Sequence, residues 1–129
     1  MAFHRRALVI TGRSGAGKSL TALRMLAGGA TLVADDRTEL RLEDAQVIAR
    51  APAGLPEAIE VRGMGLLGAR LAGPTPVAAV LDLDTTEPDR LPRHHTIAIL
   101  GQDVPLFRRP DHPHVADAAL QLLKGGRLD

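Results

Sequence analysis

The segment Gly12-Arg13-Ser14-Gly15-Ala16-Gly17-Lys18-Ser19 reads GRSGAGKS, which fits the phosphate-loop pattern GxxxxGK[ST]. Its surroundings suit the mechanism of such a loop. The apolar run Ala7-Leu8-Val9-Ile10 precedes it as a strand, and Leu20-Thr21-Ala22-Leu23-Arg24-Met25-Leu26 follows with apolar residues at helical spacing. A glycine-rich turn from strand to helix presents successive backbone N–H groups as a concave anion site at the positive end of the helix dipole. Gly12 to Ser19 are therefore the candidate nucleotide-binding residues. Lys18 is placed to reach the outer phosphates, and the Ser19 hydroxyl to enter the shell of a bridging magnesium ion. The motif predicts nucleoside triphosphate binding.

The rest of the chain limits what such a loop serves. A length of 129 residues suits one domain over residues 1–129 with a real core. The 45% hydrophobic and 24% charged content is that of a globular protein. No apolar run approaches the roughly 20 residues that cross a bilayer, and Ala7-Leu8-Val9-Ile10 runs straight into the loop as a core strand rather than a signal peptide. There are no cysteines, which excludes thiolate metal sites and thiol nucleophiles and fits a cytoplasmic protein. Sixteen basic residues against fifteen acidic ones, with Phe3 and Phe107 the only aromatics, argue against nucleic acid as a partner.

Along the chain, Gly28-Gly29 ends the first helix and Ala30 to Ala34 reads as a second strand stopping at Asp35-Asp36, a strand-helix-strand unit. Glu39–Leu42 and Gln46–Ala49 read as a hairpin around Glu43-Asp44. Ile59-Glu60-Val61-Arg62 leads into a glycine-rich segment, Gly63 to Gly68, expected as a mobile or closely packed loop. Val77-Ala78-Ala79-Val80-Leu81 is continuously apolar, as a central strand buried on both faces would be. Thr85 to His95 reads as an exposed loop, Thr96 to Leu100 as a short strand, and Val104-Pro105-Leu106-Phe107 as an edge strand because proline disfavours the interior of a sheet. His114 to Lys124 carries a helical apolar face closed by Gly125-Gly126. The fold class expected is α/β, a P-loop-containing mixed sheet flanked by helices.

Phosphoryl transfer needs the phosphates and metal held and the acceptor oxygen deprotonated, so carboxylates are the next requirement. Asp35-Asp36, Glu60, and Asp82 with Asp84 all follow strand-like runs. The apolar lead of Asp82 favours it as the magnesium-binding strand end. Asp35 and Asp36, as neighbours in extended chain, point to opposite faces and can divide two tasks. The pattern alone leaves these alternatives open.

GRSGAGKS, then TLVADDRTEL, then IEVRGMGLLGAR, in this order and at these separations, closely resembles the catalytic domain of bacterial HPr kinase/phosphorylase, with a phosphoenolpyruvate-carboxykinase-like fold. The likeness extends over about residues 7 to 107 and is to a kinase-domain-only form without the family's N-terminal domain. It implies ATP bound at Gly12–Ser19, or inorganic phosphate in the reverse reaction, with Mg2+ at Ser19 and Glu60. It implies catalytic roles for Lys18, for Asp35 and Asp36, one of them the base toward a substrate serine, and for Arg62 in a signature loop tied to activity and subunit contacts. The partner implied is an HPr-like phosphocarrier protein of the phosphotransferase system, and the assembly a hexamer. On this assignment Asp82 and Asp84 take supporting roles. The C-terminal region departs from the family's glycine-arginine-asparagine element, reading Arg109-Pro110-Asp111-His112-Pro113-His114, a departure that bears on the phosphorylase reaction.

His94 and His95 in a polar loop, His112 and His114 around Pro113, and Arg90 and Arg93 read first as solvated side chains. Two other functions share the same loop: a small-molecule kinase, and a nucleotide or phosphate sensor that acts by binding alone. No NKxD element is present, which disfavours guanine specificity.

Overall fold

The computed structural model describes all 129 residues, Met1–Asp129. Its frame is two parallel strands, β2 (Arg6–Thr11) and β7 (Thr75–Thr86), paired at Ala7 opposite Val77 and, after a one-residue shift in register, from Leu8 opposite Ala79 to Thr11 opposite Asp82. β7 is central, as its continuous apolarity predicts. Its far edge is shared between β4 (Gln46–Arg50), antiparallel through Ile48 and Ala49, and β9 (Gln102–Arg109), parallel from Val80 opposite Leu106 onward. The outer strands are β1 (Ala2–Phe3) beside β2, β3 (Glu39–Glu43) beside β4, and β8 (His95–Ile99) beside β9. β5 (Ala58–Val61) and β6 (Gly65–Gly68) make a separate two-stranded hairpin.

Alternation along β2 and β7 divides the apolar side chains between two faces. Leu8, Ala79, Leu81 and Leu83 meet helices α1 (Lys18–Ala27) and α2 (Val115–Gly125), which contribute Ala22 and Met25, and Ala116, Ala119, Leu120 and Leu123. Ala7 packs with Val33 and Ala49, and Val80 with Val47 and Val104. The result is a mixed α/β sheet with both helices on one face.

The hairpins β1–β2, β3–β4 and β8–β9 each turn on two residues at positive φ: His4 and Arg5 (47° and 60°), Asp44 and Ala45 (50° and 61°), Leu100 and Gly101 (50° and 79°). Such pairs match the twist of the strands they join. Only one of these six positions is glycine.

Four expectations are corrected. Ala30–Ala34 is not a strand: Thr31 exchanges backbone hydrogen bonds of 2.8 Å with Ala2, Leu32 bridges to Leu71, and no ladder develops. Both edges of β2 are already taken, by β1 and β7, so the strand-helix-strand unit closes instead through β7. The glycine-rich segment forms β6, with Gly63 at φ 88° in the turn. β9 is internal between β7 and β8; Pro105 pairs with Thr96 and lies one residue ahead of Leu106, where pairing with β7 begins, so its missing N–H removes no donor from that ladder. Finally, β7 runs on to Thr86 and Glu87 is 8% exposed, its amide donating to Arg109 O at 2.8 Å, so the stretch before β8 is anchored at its start.

Candidate functional site

The glycine loop joins β2 to α1 and begins where β2 ends opposite Asp82, beside the stretch of β7 that runs on to Thr86. Gly12, Gly15 and Gly17 have φ of 154°, 85° and 98°, conformations costly for any residue with a Cβ. At Gly12 space forbids one as well: a Cβ would stand 2.9 Å from that of Ala16. Gly17 is the N-cap of α1. It supplies no side-chain cap, and the first turn carries no acid, so the amides of that turn remain available to an external anion.

Lys18 and Ser19 open the helix. The Lys18 ammonium donates to the carbonyls of Gly12 and, at 3.0 Å, Arg13, and it pairs with no carboxylate. Arg13 and Ser14 are exposed, whereas Ala16 packs against the helix-side core. Asp84 reaches the loop from the end of β7. Both its carboxylate oxygens accept the Arg13 amide, at 3.0 and 3.1 Å, and one lies 3.8 Å from the Arg13 guanidinium. Asp82 accepts the Asp84 amide at 2.8 Å. Asp84 thus holds the first turn of the loop, and Asp82 holds Asp84. The sequence signal for it was the apolar strand ending in Asp-Leu-Asp.

The adjacent acids differ in their contacts, but not by the opposite faces expected of extended chain: Asp36 turns into the left-handed region and both acids line the same cavity. Asp35 is half-buried and bound twice, accepting the Asp36 amide at 3.0 Å through Oδ1 and the Glu60 amide at 2.9 Å through Oδ2. It fastens this segment to β5. Asp36 has φ 43°, is exposed, and its carboxylate holds no hydrogen bond. Lys18, Ser19, Asp35 and Asp36 line one cavity of about 110 Å³, together with Ala34 and Thr38.

Neither Glu60 nor Arg62, both expected at the site, lines this cavity. Glu60 meets the site through its amide, and its carboxylate is exposed; Arg62 is exposed where β5 turns into β6. No group of three or more His, Asp or Glu side chains is gathered to hold a metal. The histidines are engaged elsewhere: His94 with Asp129 O (2.9 Å), His95 with Glu87 (3.7 Å), His112 accepting the His114 amide (3.1 Å), and His114 with Asp117 (3.7 Å).

Comparison with known proteins gives this geometry a setting. The family model described as the HPr serine kinase C-terminal domain matches residues 4–78, a span that includes the glycine loop, Asp35-Asp36 and the β5–β6 hairpin. The HPr kinase/phosphorylase of Aromatoleum aromaticum is 42% identical over 113 residues, covering 77% of this chain and 36% of that protein. That of Listeria monocytogenes is 32% identical over 120 residues, covering 82% of this chain and 38% of that protein. The chain thus spans little more than a third of the length of these curated relatives. The structure of the Hpr(Ser) kinase/phosphatase from Coxiella burnetii superposes with a TM-score of 0.79 at 23% identity, covering 95% of this chain and 84% of that one, which establishes a shared fold. No helix is long and apolar enough to cross a membrane.

Proposed function

The chain belongs to the family of the HPr serine kinase C-terminal domain, and from that membership we propose that it is an ATP-dependent protein serine kinase whose acceptor is an HPr-like phosphocarrier protein. The observation that carries the reading is the single cavity in which Lys18 and Ser19 of the loop face the acidic pair Asp35-Asp36. A phosphate grip and a proton acceptor are the two parts that phosphoryl transfer to a hydroxyl requires.

The donor set fits a magnesium nucleotide. The glycines leave room for phosphate oxygens against the backbone, Lys18 is a cation without an acidic partner, and the first amides of α1 are uncapped. The Ser19 hydroxyl on the cavity wall would give magnesium one oxygen ligand, with waters completing its shell; the Glu60 carboxylate, exposed outside that wall, would have to turn inward to join it. A magnesium ion held there would supply charge neutralisation at the outer phosphates.

On this reading the protein's own groups act as follows. The uncapped amides that open α1 and the Lys18 ammonium orient the outer phosphates, while Asp84 binds the Arg13 amide and so holds the first turn of the loop in place. Asp36, whose carboxylate holds no hydrogen bond and which lines the cavity, takes the serine proton as the Oγ–P bond forms and the bond from the γ-phosphorus to the bridging oxygen breaks, ADP leaving with that oxygen. Asp35 positions Asp36 through the two amides that it accepts. Arg62, at the rim of the hairpin, compensates phosphoryl charge once the acceptor docks.

The test is transfer of labelled phosphate from ATP and magnesium to a serine of the host's HPr-like protein. Label on serine with the wild type and none with Lys18→Ala supports the assignment. No label with either, while ATP still raises the melting temperature, would leave a nucleotide sensor and sink the kinase.

A further inference from the structure

A second, larger cavity of about 720 Å³ opens between α2 and the helix-covered face of β2, β7 and β9. Its size lies in the range of small-molecule sites, about 300–1,000 Å³. No residue of the glycine loop lines it, and it shares only Leu8 with the cavity beside Lys18. Leu8, Leu81 and Phe107 from the sheet, with Val115, Ala119 and Leu122 from α2, give it an apolar interior.

The mouth is of a different character. Arg90 and Arg93 come from the segment between β7 and β8, and Arg108 from the end of β9; none forms an ion pair. The other charges at the mouth are largely committed. Arg127 binds Asp129 at 2.8 Å and donates to Pro92 O. Glu87, 8% exposed, accepts the Asp89 amide at 3.2 Å and lies 3.7 Å from His95, while its own amide is held by Arg109 O. That buried carboxylate fixes the arginine-bearing segment over the opening. Asp89 and Asp111 are the only lining carboxylates with no cation in contact, so unpaired guanidiniums outnumber unpaired acids.

We propose that this cavity binds a small amphipathic anion, its apolar body in the slot between α2 and the sheet and its carboxylate or phosphate-monoester head at Arg90, Arg93 and Arg108. Burial of the body supplies affinity. The head selects sign and shape, since no lysine lines the cavity and the planar arginine fork matches such oxyanions two donors at a time. The site is independent of the kinase reading, because nothing in it touches the loop or the acidic pair.

The chain lacks tryptophan and tyrosine, so binding is read cleanly by the fluorescence of 1-anilinonaphthalene-8-sulfonate, an amphipathic aromatic anion that serves as the displaceable reporter. Octanoate and octyl phosphate are titrated as competitors, with octylamine and octanol as controls of equal chain length. One or both anions should displace the probe at one site per chain, the better competitor identifying the head group. The triple variant Arg90→Gln, Arg93→Gln, Arg108→Gln should weaken that displacement by about tenfold or more without changing competition by octanol. Ala118→Phe, at an exposed α2 position lining the slot, should abolish probe binding. If Ala118→Phe does not fold, by circular dichroism, the arginine variant decides alone. Failure of both anions to compete, competition by octylamine as strong as by octanoate, or displacement unchanged in the arginine variant overturns the proposal.

Discussion

Exchanging Asp35 and Asp36 separately for asparagine should yield two different defects, because one carboxylate is bound and the other free. Asp35 accepts two backbone amides, from Asp36 and Glu60. Asparagine keeps one accepting oxygen and turns an NH2 toward the other amide. Hydrogen bonds to charged groups contribute about 1.5–3 kcal/mol, and partial exposure puts this pair at the lower end, so Asp35→Asn should cost about 1–1.5 kcal/mol. For a chain of this size that lowers the melting temperature by about 4–6 °C. Asp36 makes no side-chain hydrogen bond, and its φ of 43° is one that asparagine also tolerates; Asp36→Asn should move stability by less than about 0.5 kcal/mol. Its cost should fall on the chemistry. A general base contributes about 10²–10⁴ in rate, or about 2.7–5.4 kcal/mol of barrier, and initial rates of phosphate transfer at saturating ATP and acceptor should fall by that factor. Asp35→Asn should lose a smaller fraction of the rate together with its stability. Melting curves from circular dichroism and transfer rates on the same two preparations decide the matter. An Asp36→Asn protein within about threefold of wild type, or an Asp35→Asn protein that loses all activity with an unchanged melt, would refute this division of labour.

Three further changes probe the frame that carries the site. Gly12→Ala combines a φ of 154° with a Cβ 2.9 Å from that of Ala16; it should cost about 1–3 kcal/mol and weaken ATP binding, both measurable as melting temperature with and without ATP. Ala45→Gly relieves a positive φ of 61° in the β3–β4 turn and should stabilise by up to about 1 kcal/mol, seen as a higher urea midpoint at constant slope. Leu123→Ala empties a side chain 1% exposed between α2 and the sheet and should cost about 2–5 kcal/mol by the same measurement.

What the sequence disclosed and what it hid follow from the range of the interactions. The glycine loop, the hairpin over residues 39–50, the central strand and α2 rest on local signals: a spaced motif, turn residues and periodicity. Ala30–Ala34 carries the same local signal as a strand and fails to become one, because whether a strand pairs depends on which edges are vacant, and β1 and β7 have taken both edges of β2. Pro105 misled in the opposite direction: a proline excludes a ladder only where its N–H is needed, and that depends on where β9 begins to meet β7. The site divides along the same line. Its residue types were readable one by one, but the asymmetry of Asp35 and Asp36 arises from a hydrogen bond to Glu60, twenty-five positions away, and the hold on the loop from Asp84, seventy-one positions from Arg13. Each of those contacts joins a backbone amide to a carboxylate, and an amide leaves no mark in a sequence. The acids of the cavity are therefore legible as side chains, whereas which of them is left without a hydrogen bond is decided by the main chain that binds its neighbour.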